Sequence, residues 1–256
     1  MIEYLAKFPI LKRLIPSIGI RIMRLFKKNR GYFKIGKINF YLDFMDPMDR
    51  QIIIHKKYED DQVLFFVDQM DKTSFDYFLD IGSNSGYYSF YFADKYKNLK
   101  IRAFEPNLEP FNKFQKTLNK NSFKNIEVFN FGLSDQEKKV RMRSMITHNY
   151  IHSNSIITEN FDALDVKNIK ILEANLKIGD NLFNFSEKKL AFKIDVEGHE
   201  MHTLKGLIKN LLKNKCLIMI EISDEKFSEV NEFLIKNSFK QIFKSKYRTD
   251  YVYTNF

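Results

Sequence analysis

One cysteine, Cys216, stands among 256 residues, so no disulfide can form within the chain. Usage this sparse suits a reducing compartment, and within its apolar run Cys216 reads as inert packing. No stretch reaches the roughly 18 uninterrupted apolar residues that a membrane span needs. The N-terminus is interrupted by Lys7, Lys12, Arg13, Arg21 and Arg24 and lacks the apolar run of a secretory signal. Internal repeats and low-complexity linkers are missing too. These absences lead to the expectation of a cytoplasmic globular protein whose only contact with a membrane is peripheral, on its inner face.

Acidic residues are scarce at one end. Residues 1–37 carry ten basic side chains and one acid, Glu3, while the remaining chain carries 32 basic and 31 acidic residues. The net charge of +10 therefore belongs to an arm, and the rest of the chain is nearly neutral. That distribution argues against nucleic acid as a partner of the main domain. Within residues 1–30, Ile18, Ile22, Leu25 and Phe26 recur at helical spacing between Arg21, Arg24, Lys27 and Lys28. Two readings stand: a basic amphipathic helix lying on an anionic membrane surface, or a helix packed on the main domain with a solvated basic face.

Beyond the arm, residues 32–44 read as a hairpin turning at Gly36-Lys37. Residues 47–70 read as one helix, with Ile52, Ile53, Val63, Leu64, Phe65 and Phe66 supplying core. A regular alternation follows. Strands are expected at 77–81, 99–104, 126–131, 190–196, 216–222, 240–243 and 251–254. Helices are expected at 87–96, 108–119, 199–212 and 226–237. Residues 134–188 are polar and turn-like, with short strands at 138–144 and 169–178. Strand and helix in turn predict an α/β fold with a mostly parallel seven-stranded sheet covered on both faces. The chain divides into a basic arm (1–30), a hairpin and helix packing on the core (31–72), and a cofactor-binding domain (73–256).

The central signal is Asp80-Ile81-Gly82-Ser83-Asn84-Ser85-Gly86, set between a fully apolar strand and a helix. Gly82 permits a sharp turn and close backbone approach, and Gly86 lets the helix start lie against the strand. Asp80 sits at the carboxyl end of the strand, where open α/β sheets bind ligands. Glu105 ends the next strand, where such folds place the acid that accepts hydrogen bonds from ribose hydroxyls. Glu105 alone fits NAD as well as S-adenosylmethionine. The glycine pattern separates them in part: a dinucleotide fold places a second glycine where Asn84 stands. Asp80 would repel a pyrophosphate and attract the amino group of a methionine moiety.

Three segments together resemble the FkbM family of S-adenosylmethionine-dependent methyltransferases. They are Phe78-Leu79-Asp80-Ile81-Gly82-Ser83-Asn84-Ser85-Gly86-Tyr87-Tyr88-Ser89, Ala103-Phe104-Glu105-Pro106-Asn107, and Phe192-Lys193-Ile194-Asp195-Val196-Glu197-Gly198-His199-Glu200. Tyr58-Glu59, Leu204-Lys205-Gly206 and Ile220-Glu221-Ile222 extend the likeness. The resemblance implies a class I methyltransferase Rossmann-like fold, with S-adenosyl-L-methionine as donor. It also implies methylation of a hydroxyl on a sugar, glycan or related biosynthetic product. Carried over by position, Asp80, Gly82, Ser83, Asn84 and Gly86 face the methionine end of the cofactor, Glu105 and Pro106 the ribose, and Ser134 and Asp135 the adenine, with Asp195 also among the cofactor-binding residues. Residues 141–188 depart from the pattern and are expected to shape the acceptor pocket.

Methyl transfer needs the acceptor aligned on an already activated donor, and a hydroxyl acceptor needs a base. Asp195 and Glu197 stand at the carboxyl end of the fourth strand; alternation would turn both to one side, one as base and the other orienting it. His199 is the other candidate base, at a helix start that disfavours imidazolium. Glu200 is read equally as a group that satisfies backbone N–H at the helix start. An Asp/Glu/His set can also hold a divalent metal, but none is assigned. His148 and His152 are taken as loop residues on the acceptor side. Two other functions remain in play: an RNA or protein methyltransferase using the basic arm, and a non-catalytic, membrane-peripheral binding protein.

Overall fold

The computed structural model describes residues 29–56, 61–147, 150–156, 169–246 and 248–256. Most of the basic arm, Tyr58-Glu59 and His148 lie outside the described residues. Strands β1 (Arg30–Ile35) and β2 (Ile38–Asp43) form the antiparallel hairpin, turning at Gly36-Lys37. The expected single helix is two. Asp46 caps α1 (Pro47–His55), accepting from the N–H groups of Met48 and Asp49, with Pro47 in the first turn. Lys56 ends α1 in the left-handed conformation, φ 59, and α2 begins afresh (Asp61–Asp71). Ile52, Val63 and Phe66 are buried as expected, but Leu64 is 67% exposed because it points away from the sheet-covering side of α2.

The alternation that follows is β3 (Tyr77–Ile81), α3 (Tyr87–Lys95), β4 (Lys100–Phe104), α4 (Leu108–Lys120), β5 (Ile126–Phe129), β6 (Gly132–Ser134), β7 (Lys138–Thr147), β8 (Tyr150–Ile156), β9 (Ile169–Ile178), the short α5 (Gly179–Leu182), β10 (Lys189–Ile194), α6 (Glu200–Gly206), α7 (Ile208–Lys213), β11 (Lys215–Glu221), α8 (Asp224–Lys236), β12 (Lys240–Lys244) and β13 (Asp250–Thr254). The main sheet runs β12-β13-β11-β10-β3-β4-β5. β5, β4, β3, β10 and β11 are mutually parallel, and β13 is antiparallel to both its neighbours.

The central strands are apolar throughout because each feeds two cores. Phe78, Ala191, Met219 and Val252 pack with Phe40, Phe66, Phe90 and Phe92 on one face. Leu79, Phe192, Ile218 and Tyr253 pack with Leu204, Leu211 and Leu234 on the other. Period-2 alternation thus shows as a continuous hydrophobic run. The hairpin is tied to α4: the Tyr41 N–H donates to Thr117 Oγ1 at 2.9 Å, and Lys113 Nζ reaches Asp49 at 2.6 Å and Asp46 at 3.0 Å.

Several boundaries differ from the sequence reading. The strand at 126–131 stops at Phe129, and β6 leaves to pair in parallel with β9. Strands β6, β7, β8 and β9 build a second, four-stranded sheet in the order β6-β9-β7-β8, more extensive than the two short strands expected. β9 covers 169–178 as expected, β7 runs on to Thr147, and His152 lies in strand β8 rather than in a loop. The helix expected at 199–212 breaks at Leu207 into α6 and α7. Among the described residues no helix is long and apolar enough to cross a membrane.

Candidate cofactor and catalytic site

The site is built where β3, β4 and β10 end side by side. The turn after β3 has little room. Gly82 has φ 80, and a β-carbon there would fall 1.8 Å from the Asp195 carbonyl oxygen; one at Gly86, φ 87, would fall 2.4 Å from the Phe114 ring. Both glycines are thus required by conformation and by contact. Gly86 itself is the N-cap of α3, with no side-chain cap, so neither Ser83 nor Asn84 serves as one. Asn84 takes the left-handed conformation, φ 49, that Asn tolerates better than most residues.

Two buried carboxylates hold this turn. Asp80 accepts from the Ser89 N–H at 3.1 Å and the Ser89 hydroxyl at 2.6 Å, tying β3 to α3. Burial pushes its pKa up to about 6, against the pull of Ser89 and Lys193. Glu105 lies just past the end of β4. One oxygen accepts from the Asn84 N–H at 2.9 Å and the other from the Asn107 N–H at 2.8 Å. Burial raises it to about 7, again against its hydrogen bonds. Each oxygen retains acceptor capacity for a sugar hydroxyl. Pro106 carries the chain from Glu105 into α4, and its carbonyl accepts from Asn130 Nδ2 at 3.2 Å.

Around this turn, Ser83 Oγ, Tyr88 OH and Asn107 Nδ2 are buried without a hydrogen-bond partner among the described residues. Buried polar atoms are rarely left so. Beside a glycine turn and a ribose-competent acid, they fit a polar nucleoside ligand. Ser83 and Asp80 suit its methionine end, and Glu105 and Asn107 its ribose.

Asp195 and Glu197 are brought to this rim, but not by strand alternation. β10 ends at Ile194, and both acids lie in the turn beyond it. Glu197 has φ 51, a left-handed conformation costly for this residue type and typical of sites under functional constraint. Its pKa is pushed up to about 7, by desolvation first and then by the negative charges of Asp195 and Glu200. Glu197 is nonetheless exposed at the rim. Solvent therefore discounts the desolvation, and the upward direction rests on the two carboxylates.

Asp195 is paired with Lys193 Nζ at 3.0 Å. Lys193 is 2% exposed, stands in register with Asp80 on β3, and lies over the Tyr88 ring at 5.4 Å. No role was read for it in the sequence, although a lysine between Phe192 and Ile194 in a buried strand was a signal. Glu200 accepts from the Gly198 N–H at 2.7 Å, which is the local backbone role that had been weighed for it.

His199 comes together with the pair Ser134 and Asp135. His199 Nε2 is 2.9 Å from Ser134 Oγ, and His202 Nδ1 is 3.0 Å from each Asp135 oxygen. The two imidazoles stack at 4.6 Å. Burial, then His202, lowers the His199 pKa to about 4. His202 went unread in the sequence; its spacing of three from His199 at a helix start was the available signal. Met48 Sδ meets Asn84 Nδ2 at 3.5 Å, bringing α1 onto the cofactor turn, and no sequence pattern pointed to it. Among the described residues no group of three or more His, Cys, Asp or Glu is placed to hold a metal ion.

The family model described as the methyltransferase FkbM domain matches residues 80–245. The chain belongs to the FkbM methyltransferase family. This FkbM chain takes S-adenosylmethionine as methyl donor, and its sheet order and paired cores are those of the class I methyltransferase fold. No curated protein matches it by sequence. Among solved structures it is similar to a candidate caffeoyl-CoA O-methyltransferase from Staphylococcus aureus, at 11% identity and TM-score 0.50, over 94% of this chain and 98% of that one. It is also similar to an rRNA methylase from Streptococcus thermophilus, at 14% identity and TM-score 0.45, over 77% of this chain and 96% of that one. M. jannaschii TYW2 in complex with AdoMet matches at 14% identity and TM-score 0.43, over 88% of this chain and 84% of that one. At these identities the likeness is one of fold.

Proposed function

We propose that this FkbM methyltransferase methylates a hydroxyl oxygen of a sugar, glycan or related small-molecule biosynthetic product, with Glu197 as the general base. The observation that carries the reading is Glu197 itself. It is a carboxylate in a left-handed turn at the cofactor rim, beside Asp195 and Glu200, whose negative charges raise its proton affinity above that of an ordinary glutamate. A base matched to neutral pH is what an unactivated hydroxyl requires.

The bound cofactor supplies an electrophilic methyl group on a sulfonium. The chain's own work is to hold and to deprotonate. The Gly82–Gly86 turn and Asp80 position the methionine end, and Glu105 and Asn107 the ribose. Lys193 fixes Asp195 beside the rim, and the charge of Asp195 in turn raises the proton affinity of Glu197. Glu197 would take the acceptor's proton as the acceptor oxygen bonds to the methyl carbon and the sulfur–carbon bond breaks, leaving S-adenosylhomocysteine as the neutral thioether. The second sheet is proposed to frame the acceptor.

The test is methyl transfer from labelled S-adenosylmethionine into hydroxylated acceptors, beside calorimetric titration with S-adenosylhomocysteine. Label that survives mild alkali and is recovered as an O-methyl ether of the acceptor supports the reading; label recovered on nitrogen or carbon overturns it. Label released as methanol would mark a carboxyl ester and overturn it. Strongly salt-dependent labelling of RNA, lost on deleting residues 1–30, would favour the polymer alternative. The two readings of that arm part on flotation with anionic vesicles: co-migration that the deletion abolishes supports the membrane contact.

A further inference from the structure

The side chains at the start of α6 carry an inference about the cofactor that does not depend on the acceptor. The glycine turn ends β3, and Glu105 follows the end of the neighbouring β4. A cofactor laid with its methionine end on the first and its ribose on the second continues toward the segment leaving β5. That segment is fixed there: Asn130 Nδ2 donates to the Glu105 carbonyl at 2.9 Å, and β6 follows, ending at Ser134.

The start of α6 closes over the same segment from the opposite side. Thr203 donates to the Leu133 carbonyl at 3.1 Å, His199 meets Ser134 and His202 meets Asp135. β10, which leads into α6, and β5, which leads into β6, are separated in the sheet by β3 and β4. The clasp therefore spans the two strands that hold the rest of the cofactor.

Proton accounting then fixes the His199 ring. An ionised carboxylate only accepts, and Asp135 is held below the usual carboxylate range, its partners His202 and Ser134 outweighing burial. Ser134 therefore donates its single proton to Asp135, at 3.2 Å, and accepts from His199. Nε2 thus carries the hydrogen. Of the charges that face His199, only Asp135 favours a second proton; His202, Lys138 and Lys226 oppose it, as does burial. The neutral ring is left with a lone pair on Nδ1, because the side-chain hydrogen bond that His199 makes among the described residues is that of Nε2.

We propose that His199 reads the base of the cofactor, its Nδ1 accepting a hydrogen bond from the exocyclic amino group of adenine, while Ser134, Asp135 and His202 act as positioning residues that hold the ring in the required tautomer. That amino group is the hydrogen-bond donor adenine offers on its edge. The assignment takes His199 out of the search for the base of methyl transfer and leaves Glu197 in it.

The test is calorimetric titration of the full chain with S-adenosylhomocysteine and with S-inosylhomocysteine, in which an oxo group replaces the amino group. Wild type should prefer the adenosyl ligand by about tenfold or more, since a buried acceptor left facing an acceptor is penalised. His199→Ala should lose most of that preference, and His199→Asn, whose amide oxygen also accepts, should restore part of it. Long-range 1H–15N NMR should show the Nε2–H tautomer in wild type and a tautomer mixture in Ser134→Ala. Equal binding of the two ligands by wild type overturns the proposal. So does a folded His199→Ala protein that still discriminates, or a wild-type ring protonated on Nδ1.

Discussion

The backbone of Gly82 lies so close to Asp195 that a β-carbon on the glycine would sit 1.8 Å from the Asp195 carbonyl oxygen. The glycine turn and the turn that carries Asp195 and Glu197 are thus one packed unit. Gly82→Ala must push them apart and also force an alanine into φ 80. Expected is loss of S-adenosylhomocysteine binding by at least about tenfold, together with a lowered melting temperature. Calorimetry and thermal unfolding check it.

Asp80 is expected to matter through the turn it ties down. Asp80→Ala removes both Ser89 contacts and leaves the Ser89 hydroxyl buried without that acceptor. The variant should fold but lose micromolar binding of S-adenosylhomocysteine in a titration beside wild type. Binding unchanged from wild type would remove Asp80 from the site.

Lys193→Met leaves the carboxylates of Asp80 and Asp195 without the ammonium group between them. Removing one partner of a buried pair commonly costs about 3–5 kcal/mol. The half-open position of Asp195 places this case toward the lower end. Chemical denaturation of both proteins measures it.

Asp80 and Glu105 give the cofactor-free protein a pH dependence whose sign follows from burial. Their folded pKa values, about 6 and about 7, lie above the ordinary carboxylate values of 3.8 and 4.5. The protonated forms therefore favour the folded state. The stabilisation is complete below the unfolded values and is lost as pH rises through about 6 to 7. The melting temperature should be higher at pH 5.5 than at pH 8, and Glu105→Gln should flatten the difference.

The rate of methyl transfer should rise with pH as Glu197 ionises, with a midpoint above the ordinary glutamate value because Asp195 and Glu200 oppose its ionisation. Glu197→Gln should remove that limb and lower the rate by about 10²–10⁴-fold. A variant that keeps the limb assigns the base elsewhere.

The main sheet was legible in the sequence because strands buried on both faces are continuous apolar runs, and because Gly82, Gly86, Asp80 and Glu105 mark the strand ends. The second sheet was legible in part: strands were expected at 138–144 and 169–178, where β7 and β9 stand. β6, with only three residues, and the polar β8 gave no strand signal. The turn at 195–198 misled for a physical reason: Asp195 and Glu197 are two apart, as on a strand, but the left-handed φ of Glu197 ends the strand geometry. Ser134, Asp135, His199 and His202 were scattered over two segments. Only the crossing of α6 over β6 brings them together, and local pattern carries no record of such a crossing.

β6 has a double membership. Its three residues follow the strand next to Glu105, yet they pair along β9 in the second sheet, with Ser134 opposite Ile178. A displacement of β9 would reach His199 through Ser134. Were a ligand at the second sheet to change cofactor affinity by this route, linkage would require the cofactor to change that ligand's affinity by the same factor.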